Sequence, residues 1–258
     1  MRFPSTLTAL VLACGAVASG QVINVDFDEF SETSIYGGLA AAPDPAGAAA
    51  QWNRATGSST STITANNLKN STGTTTGVGI SVEINGSFLS DPSQQELGPS
   101  GIYQDLMEDY VYLSSPVELQ VVTKNGSIFG LDPGQLYDVY LYAQGDNFLE
   151  TYSPGQNTLF TINGISKQTS WDGIQGGDGF LVDGIEYVRF RVAANAGGVI
   201  GFTWANVVSG TGGNVAVDLD GNNSRFAVIN GLQIVAVPEP SAALLGSFAV
   251  LGLLRRRR

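Results

Sequence analysis

No histidine occurs anywhere in the chain. Its absence removes His-based triads, the usual neutral-pH acid/base group and His-ligated metals. Cysteine is nearly absent: Cys14 is the only one, and it lies in a segment that reads as removable. Without it, the remaining chain has no disulfide and no thiolate chemistry. Nothing resembles a Walker loop or a dinucleotide fingerprint, and the scattered glycines read as turn glycines. Positive charge is scarce too. Residues 21–240 hold 7 Lys/Arg against 23 Asp/Glu, a formal charge of 7 − 23 = −16. That balance argues against a nucleic-acid partner, whose phosphates demand a basic surface, and against docking on anionic membranes.

What is present begins with the two ends. Met1-Arg2 supplies a small positive start, and residues 7–17 are apolar apart from Thr8, Cys14 and Gly15. Small residues follow from Ala16 to Gly20, and cleavage after Ala18 or after Gly20 suits a peptidase with small pockets. The stretch lacks the 3.6-residue periodicity of a buried helix, so residues 1–20 are read as a secretory signal peptide. Val11-Leu12-Ala13-Cys14 also faintly resembles a lipoprotein cleavage box, which leaves lipidation at Cys14 as an alternative.

At the other end, Pro238-Glu239-Pro240 precedes a 14-residue apolar run, 241–254, and then Arg255, Arg256, Arg257 and Arg258. As a helix the run spans ~21 Å at ~1.5 Å per residue, short of the ~30 Å hydrocarbon core. Such a helix suits transient insertion, with the arginines held on the cytoplasmic side. It is apolar all round, which speaks against an amphipathic helix packed on the body. Residues 237–258 resemble the PEP-CTERM sorting signal, with its triplet, short hydrophobic helix and terminal Arg cluster. The resemblance implies an exosortase-type membrane enzyme as partner. It also implies a route from the inner membrane to the cell surface or to an exopolysaccharide matrix.

Between the ends, residues 21–236 are read as one domain rich in strand signals. Residues 22–27 open it. Val78, Ile80, Val82 and Ile84 alternate with Gly79, Ser81 and Glu83, and Val117, Leu119 and Val121 alternate with polar residues in the same way. Residues 135–143 are apolar on both faces, as in a central strand. Residues 159–162 and 165–169 flank Asn163-Gly164, a favoured hairpin turn. Val188, Phe190 and Val192 alternate with Tyr187, Arg189 and Arg191; Ile200, Phe202 and Trp204 repeat the pattern; residues 226–235 close the domain. Residues 61–65 form a candidate edge strand, and residues 40–50 a loop. One helix is predicted over 102–112, capped by Ser100, with Leu106, Met107 and Tyr110 on one face. The pattern predicts an all-β jelly-roll sandwich with one short helix. Asn24-Val25-Asp26-Phe27, residues 130–143, Phe160-Thr161-Ile162-Asn163-Gly164 and residues 226–234 follow one another in that order. Their succession resembles galactose-binding-like and malectin-like jelly rolls, a resemblance of scaffold that carries almost no ligand information.

Candidate chemistry is thin. Glu108/Asp109, Asp178/Asp183 and Asp218/Asp220 are carboxylate pairs in sequence, but a glycosidase needs them facing each other across a cleft at ~5–9 Å. Asp218, Asp220 and Asn222 alternate like the start of a calcium loop. Ile229 stands where an EF-hand has Glu, so this is a structural Ca²⁺ site or a hairpin turn. Trp171, Tyr152, Tyr103 and Trp52 lie beside loop signals, as a glycan platform or as covers of the sandwich ends. Trp204, Phe190 and Phe202 are assigned to the core. Otherwise no cofactor is implied. Three functions stay open: an exported, non-catalytic carbohydrate-binding module, a passive structural matrix protein, and a carboxylate-based glycoside hydrolase.

Overall fold

The chain was analysed as a computed structural model that describes residues 21–28, 35–44, 46–47, 50–57, 62–89, 103–117, 120–145, 157–170, 180–207 and 225–238. In chain order the elements are β1 (Val22–Asp26), β2 (Trp52–Arg54), β3 (Thr62–Ala65), β4 (Gly79–Glu83), β5 (Gly86–Leu89), α1 (Gln104–Met107), β6 (Asp109–Ser114) and β7 (Thr123–Phe129). Then follow β8 (Leu136–Tyr142), β9 (Thr158–Ile162), β10 (Ile165–Gln168), β11 (Tyr187–Ala193), β12 (Ile200–Asn206), β13 (Phe226–Ile229) and β14 (Gly231–Ala236). A five-stranded sheet runs β11-β8-β14-β1-β2, a six-stranded sheet runs β10-β9-β12-β7-β4-β3, and β13-β6-β5 form a third. The protein is an all-β jelly-roll sandwich. Among the described residues no helix is long and apolar enough to cross a membrane; the apolar run 241–254 lies outside them.

Alternation decides which side chains meet. Ile80, Val82, Ile128, Phe202 and Trp204 from the six-stranded sheet and Ile23, Val25, Val139, Leu141, Val188 and Phe190 from the five-stranded sheet join one buried cluster. β8 lies between β11 and β14 and is buried on both faces from Tyr137 to Tyr142, as its apolar and aromatic run, broken only by Asp138, predicts. Phe27, Phe160 and Trp204 lie at 1 % exposure or less, and each such ring contributes about 1.5–3 kcal/mol by leaving water. Three cross-strand pairs set a glycine against an aromatic residue: Gly79↔Phe129, Gly126↔Phe202 and Gly86↔Tyr112. At Gly126 a Cβ would sit 2.1 Å from the Phe202 ring, so the ring fills the slot that the missing side chain leaves. The hairpin at Asn163-Gly164 is as expected, with positive φ of 49° and 76° at the two turn residues. Residues 62–65 are indeed an edge strand.

Two expectations fail. The helix is only α1, and residues 109–114 form β6, paired with β5 and β13. Tyr110, Val111 and Leu113 pack in the main core, whereas Leu106 and Met107 pack elsewhere, so the supposed common face divides at Asp109. The aromatic and β-branched run Tyr110-Val111-Tyr112 favours the pleated surface over a helix. Nor do the described residues of 117–121 form a strand: Val117 and Val121 are exposed and outside any strand, and Leu119 lies outside the described residues. The strand comes later, as β7. Its polar sequence Lys124-Asn125-Gly126-Ser127 hides it, because one inward slot is filled by Phe202 from the next strand.

A second core lies on the other face of the five-stranded sheet. Trp52, Tyr36, Tyr140, Tyr142, Leu106, Met107 and Ala42 are its members. Beside it runs a buried polar chain. Tyr142 donates to Gln233 Oε1 (2.5 Å), which also accepts from Ala42 N, and Gln233 Nε2 donates to Asn24 Oδ1 (2.8 Å). Every group in that chain is satisfied, as interior polar atoms must be.

Candidate functional site

Three places stand out chemically, one inside the fold and two on the outer faces of its sheets. Inside, β1 ends in Asp26, Asp28 follows, and β6 begins with Asp109. The three are 1 %, 1 % and 3 % exposed, and each brings a carboxylate oxygen within 4.8 Å of the others. Arg54, opposite Asp26 in the parallel β1–β2 register, forms an ion pair with Asp28. Asp26 Oδ2 accepts from the Tyr36 N–H at 2.8 Å. Burial pushes the Asp26 carboxyl well above the ordinary carboxylate range, and the nearby Asp28 and Asp109 charges push it further. Next to them Asn230 is fully buried. Its Nδ2 donates to the Met107 and Asp109 carbonyls (3.0 and 3.1 Å) and its Oδ1 accepts from Gln144 N (2.8 Å). Three clustered carboxylate oxygens are donors of the kind a hard divalent cation takes. The Arg54 guanidinium already supplies one positive charge there.

Outside, the six-stranded sheet shows a row of hydroxyl and amide side chains. Thr62 pairs with Glu83, Asn125 with Thr203, Thr203 with Thr161, and Thr161 with Ser166. Glu83 Oε2 accepts from both the backbone N–H and the side-chain amide of Asn125, each at 2.9 Å. Those two hydrogen bonds hold the Glu83 carboxyl below the ordinary range. Over Gly201 the row opens into a shallow depression of about 360 Å³, lined by Asn125, Thr161, Asn163, Gly164 and Thr203 among others. A side chain built on Gly201 would meet nothing within 4 Å. Phe129, half-buried, lies on the same face with its ring over Gly79.

A third feature is the charged outer face of the five-stranded sheet. Arg191 grips Asp138 with two hydrogen bonds (2.9 and 2.8 Å) and Arg189 adds a third (2.7 Å). Burial alone would raise the Asp138 carboxyl, but the arginines hold it below the ordinary range. Arg189 also lies over the Tyr140 ring at 5.5 Å.

Of the aromatic residues singled out from sequence, Trp52 is sealed in the second core, 1 % exposed, with its Nε1–H on the Gly38 carbonyl and Tyr36 edge-on at 4.9 Å. Its ring is therefore a packing element and no platform. Tyr103 packs half-buried against the same cluster. Trp171, Tyr152, Asp218, Asp220, Asn222 and Asp178 lie outside the described residues. Of the sequence-adjacent carboxylates, Asp109 turns inward to meet Asp26 and Asp28, partners about 80 residues away in sequence. The signal that could have flagged them is two acids, Asp26 and Asp28, flanking Phe27 where the buried strand β1 ends.

No family model matches the chain, and no curated protein matches it. Among solved structures it is similar to the plant receptor-like kinase ANX2, at 11 % identity and a TM-score of 0.37, over 69 % of this chain and 54 % of that one. It is also similar to the ANXUR1 extracellular domain from Arabidopsis thaliana, at 15 % identity and a TM-score of 0.35, over 60 % of this chain and 40 % of that one. The chain thus spans about half the length of these relatives, and at such scores the likeness carries no argument about ligand.

Proposed function

We propose that this chain is an exported cell-surface or matrix protein whose sandwich is a non-catalytic carbohydrate-binding module, processed by an exosortase-type enzyme at Pro238-Glu239-Pro240. The observation that carries the binding half is the outer face of the six-stranded sheet. In a body of formal charge −16 it gathers side chains that are almost all uncharged donors and acceptors: Thr62, Asn125, Thr161, Ser166 and Thr203. Hydroxyls and amides of this kind pair with the hydroxyls of a sugar without the desolvation cost of an ion. The converging carboxylates, by contrast, are sealed beneath the surface, where they meet no substrate. The export half is supported by the order of features in residues 1–20 and 237–258. The test is pull-down of the full chain, purified from an exporting host, on a panel of insoluble and gel-immobilised polysaccharides. Retention on at least one is the expected result. Retention on none overturns the binding reading and favours a passive structural component.

A further inference from the structure

We infer that the depression over Gly201, on the outer face of the six-stranded sheet, is the contact site for a neutral polysaccharide chain lying flat across the strands; this rests on the carbohydrate reading above. Gly201 is the key. It sits at an outward-facing position of β12, between two neighbouring strands. Unlike Gly79, Gly86 and Gly126, it has no neighbouring ring to accommodate, and its φ is not in the left-handed region. Neither packing nor backbone conformation asks for glycine there. Glycine inside a strand marks a bulge, a tight bend or a close approach to the backbone; the β12–β7 register runs through Gly201 without a bulge, which favours approach by another molecule.

The walls identify the molecule. Asn125, Thr161, Asn163 and Thr203 surround the bare backbone, and each offers neutral donors and acceptors. Among the described residues no cation lines the depression, so none of them neutralises a uronate or a sulfate. Glu83, beside Asn125, places a carboxylate at the rim that repels such groups and accepts from a hydroxyl. Phe129, two strands from β9 on the same face, presents a half-buried ring. Strands lie about 4.8 Å apart, and Phe129 is two residues further along β7 than Ser127, the partner of Gly201, so its ring is on the order of 12 Å from the far wall, a span for a chain of several sugar units rather than one. A volume of about 360 Å³ lies at the small end of ligand sites, as befits a shallow trough that a polymer crosses.

The experiment uses the full chain and two variants, Gly201→Leu, which fills the floor, and Asn163→Gly, which removes an amide while leaving the left-handed turn relaxed. Retention is measured by affinity electrophoresis in gels containing β-glucan, mannan or galactan, and in parallel alginate. Urea unfolding of each variant, unchanged from the parent, establishes that it folds. The expected result is retention by a neutral polymer, weakened about tenfold in Gly201→Leu and less in Asn163→Gly, with no retention by alginate. Neutral-polymer retention that both variants leave unchanged overturns this site while leaving the carbohydrate reading intact, and so does a preference for alginate. No retention by any polymer overturns both.

Discussion

Replacing Asn230 with alanine tests how the sheets are joined. Asn230 stands between β13 and β14, where the chain leaves the three-stranded sheet for the five-stranded one. Its backbone N–H reaches the Tyr142 carbonyl (3.0 Å) and its carbonyl takes the Phe27 N–H (2.8 Å). Its side chain adds three hydrogen bonds, to Met107 O, Asp109 O and Gln144 N, all inside a fully buried site. Truncation strips those three backbone groups of this partner. A buried group left unsatisfied costs about 1–3 kcal/mol, the carbonyls less than the N–H because each has a second lone pair. The total expected is about 3–5 kcal/mol, a fifth or more of the ~5–15 kcal/mol that holds a domain together. With a urea slope of about 3 kcal/mol/M, suited to a large domain, the midpoint falls by roughly 1–1.7 M. Trp52 and Trp204, buried in the two different cores, report the transition by fluorescence. A midpoint shift under about 0.3 M, with Trp52 and Trp204 still reporting one common transition, refutes the idea that Asn230 couples the sheets.

Two further outcomes follow from the same geometry. Asp26 holds its proton in the folded state at a pH where the unfolded chain has already lost it, so the folded state binds more protons. Stability therefore declines as pH rises from about 4 through the raised Asp26 pKa, and Asp26→Asn flattens that limb in urea titrations at stepped pH; equal slopes in parent and variant contradict it. On the outer edge of the five-stranded sheet, β11 is closed off by side chains: Lys167 Nζ donates to the Arg189 carbonyl, and Asp183 Oδ1 accepts the Arg189 N–H at 3.3 Å. Lys167→Met combined with Asp183→Ala exposes a strand edge able to pair with another copy, so light scattering should rise with concentration relative to the parent; identical scattering contradicts the role.

Sequence periodicity revealed the sheets where both partners of an alternation lay in one strand. Val78 to Ile84, Tyr187 to Ala193 and Ile200 to Trp204 carry their own inward face, and each strand is found as expected. β7 was illegible because its inward positions include Gly126, whose space is filled by Phe202 on β12, a fact written in another segment. β6 was mistaken for helix because Leu106, Met107 and Tyr110 fit a helical spacing while serving two different cores. Residues 226–235 read as one closing strand and are instead two, β13 and β14, with a crossing between sheets at Asn230-Gly231, where Gly231 is small enough to sit beside the Val25 carbonyl. The candidate site was illegible for a related reason. Asn125, Thr161 and Thr203 are unremarkable alone and become neighbours only through the order of β7, β12 and β9.

The residues with the strongest individual chemistry are therefore not those best placed to meet a ligand. Asp26, Asp28, Asp109, Arg54 and Asn230 sit where β1, β2, β6 and the β13–β14 crossing converge, and buried charge there must be compensated within the fold. Such a cluster fixes which strands meet, because a slipped register would leave a carboxylate or an amide facing apolar side chains. Outside, the neutral face over Gly201 adds little to stability, since its groups are as well hydrated unfolded as folded. Stability and binding should then separate cleanly between the two places. Substitutions at Asn230 or Asp26 move the unfolding midpoint while leaving polysaccharide retention of the folded fraction unchanged. Gly201→Leu does the reverse. A variant of the buried cluster that folds normally yet loses retention would place the ligand at the sheet junction and remove it from the open face.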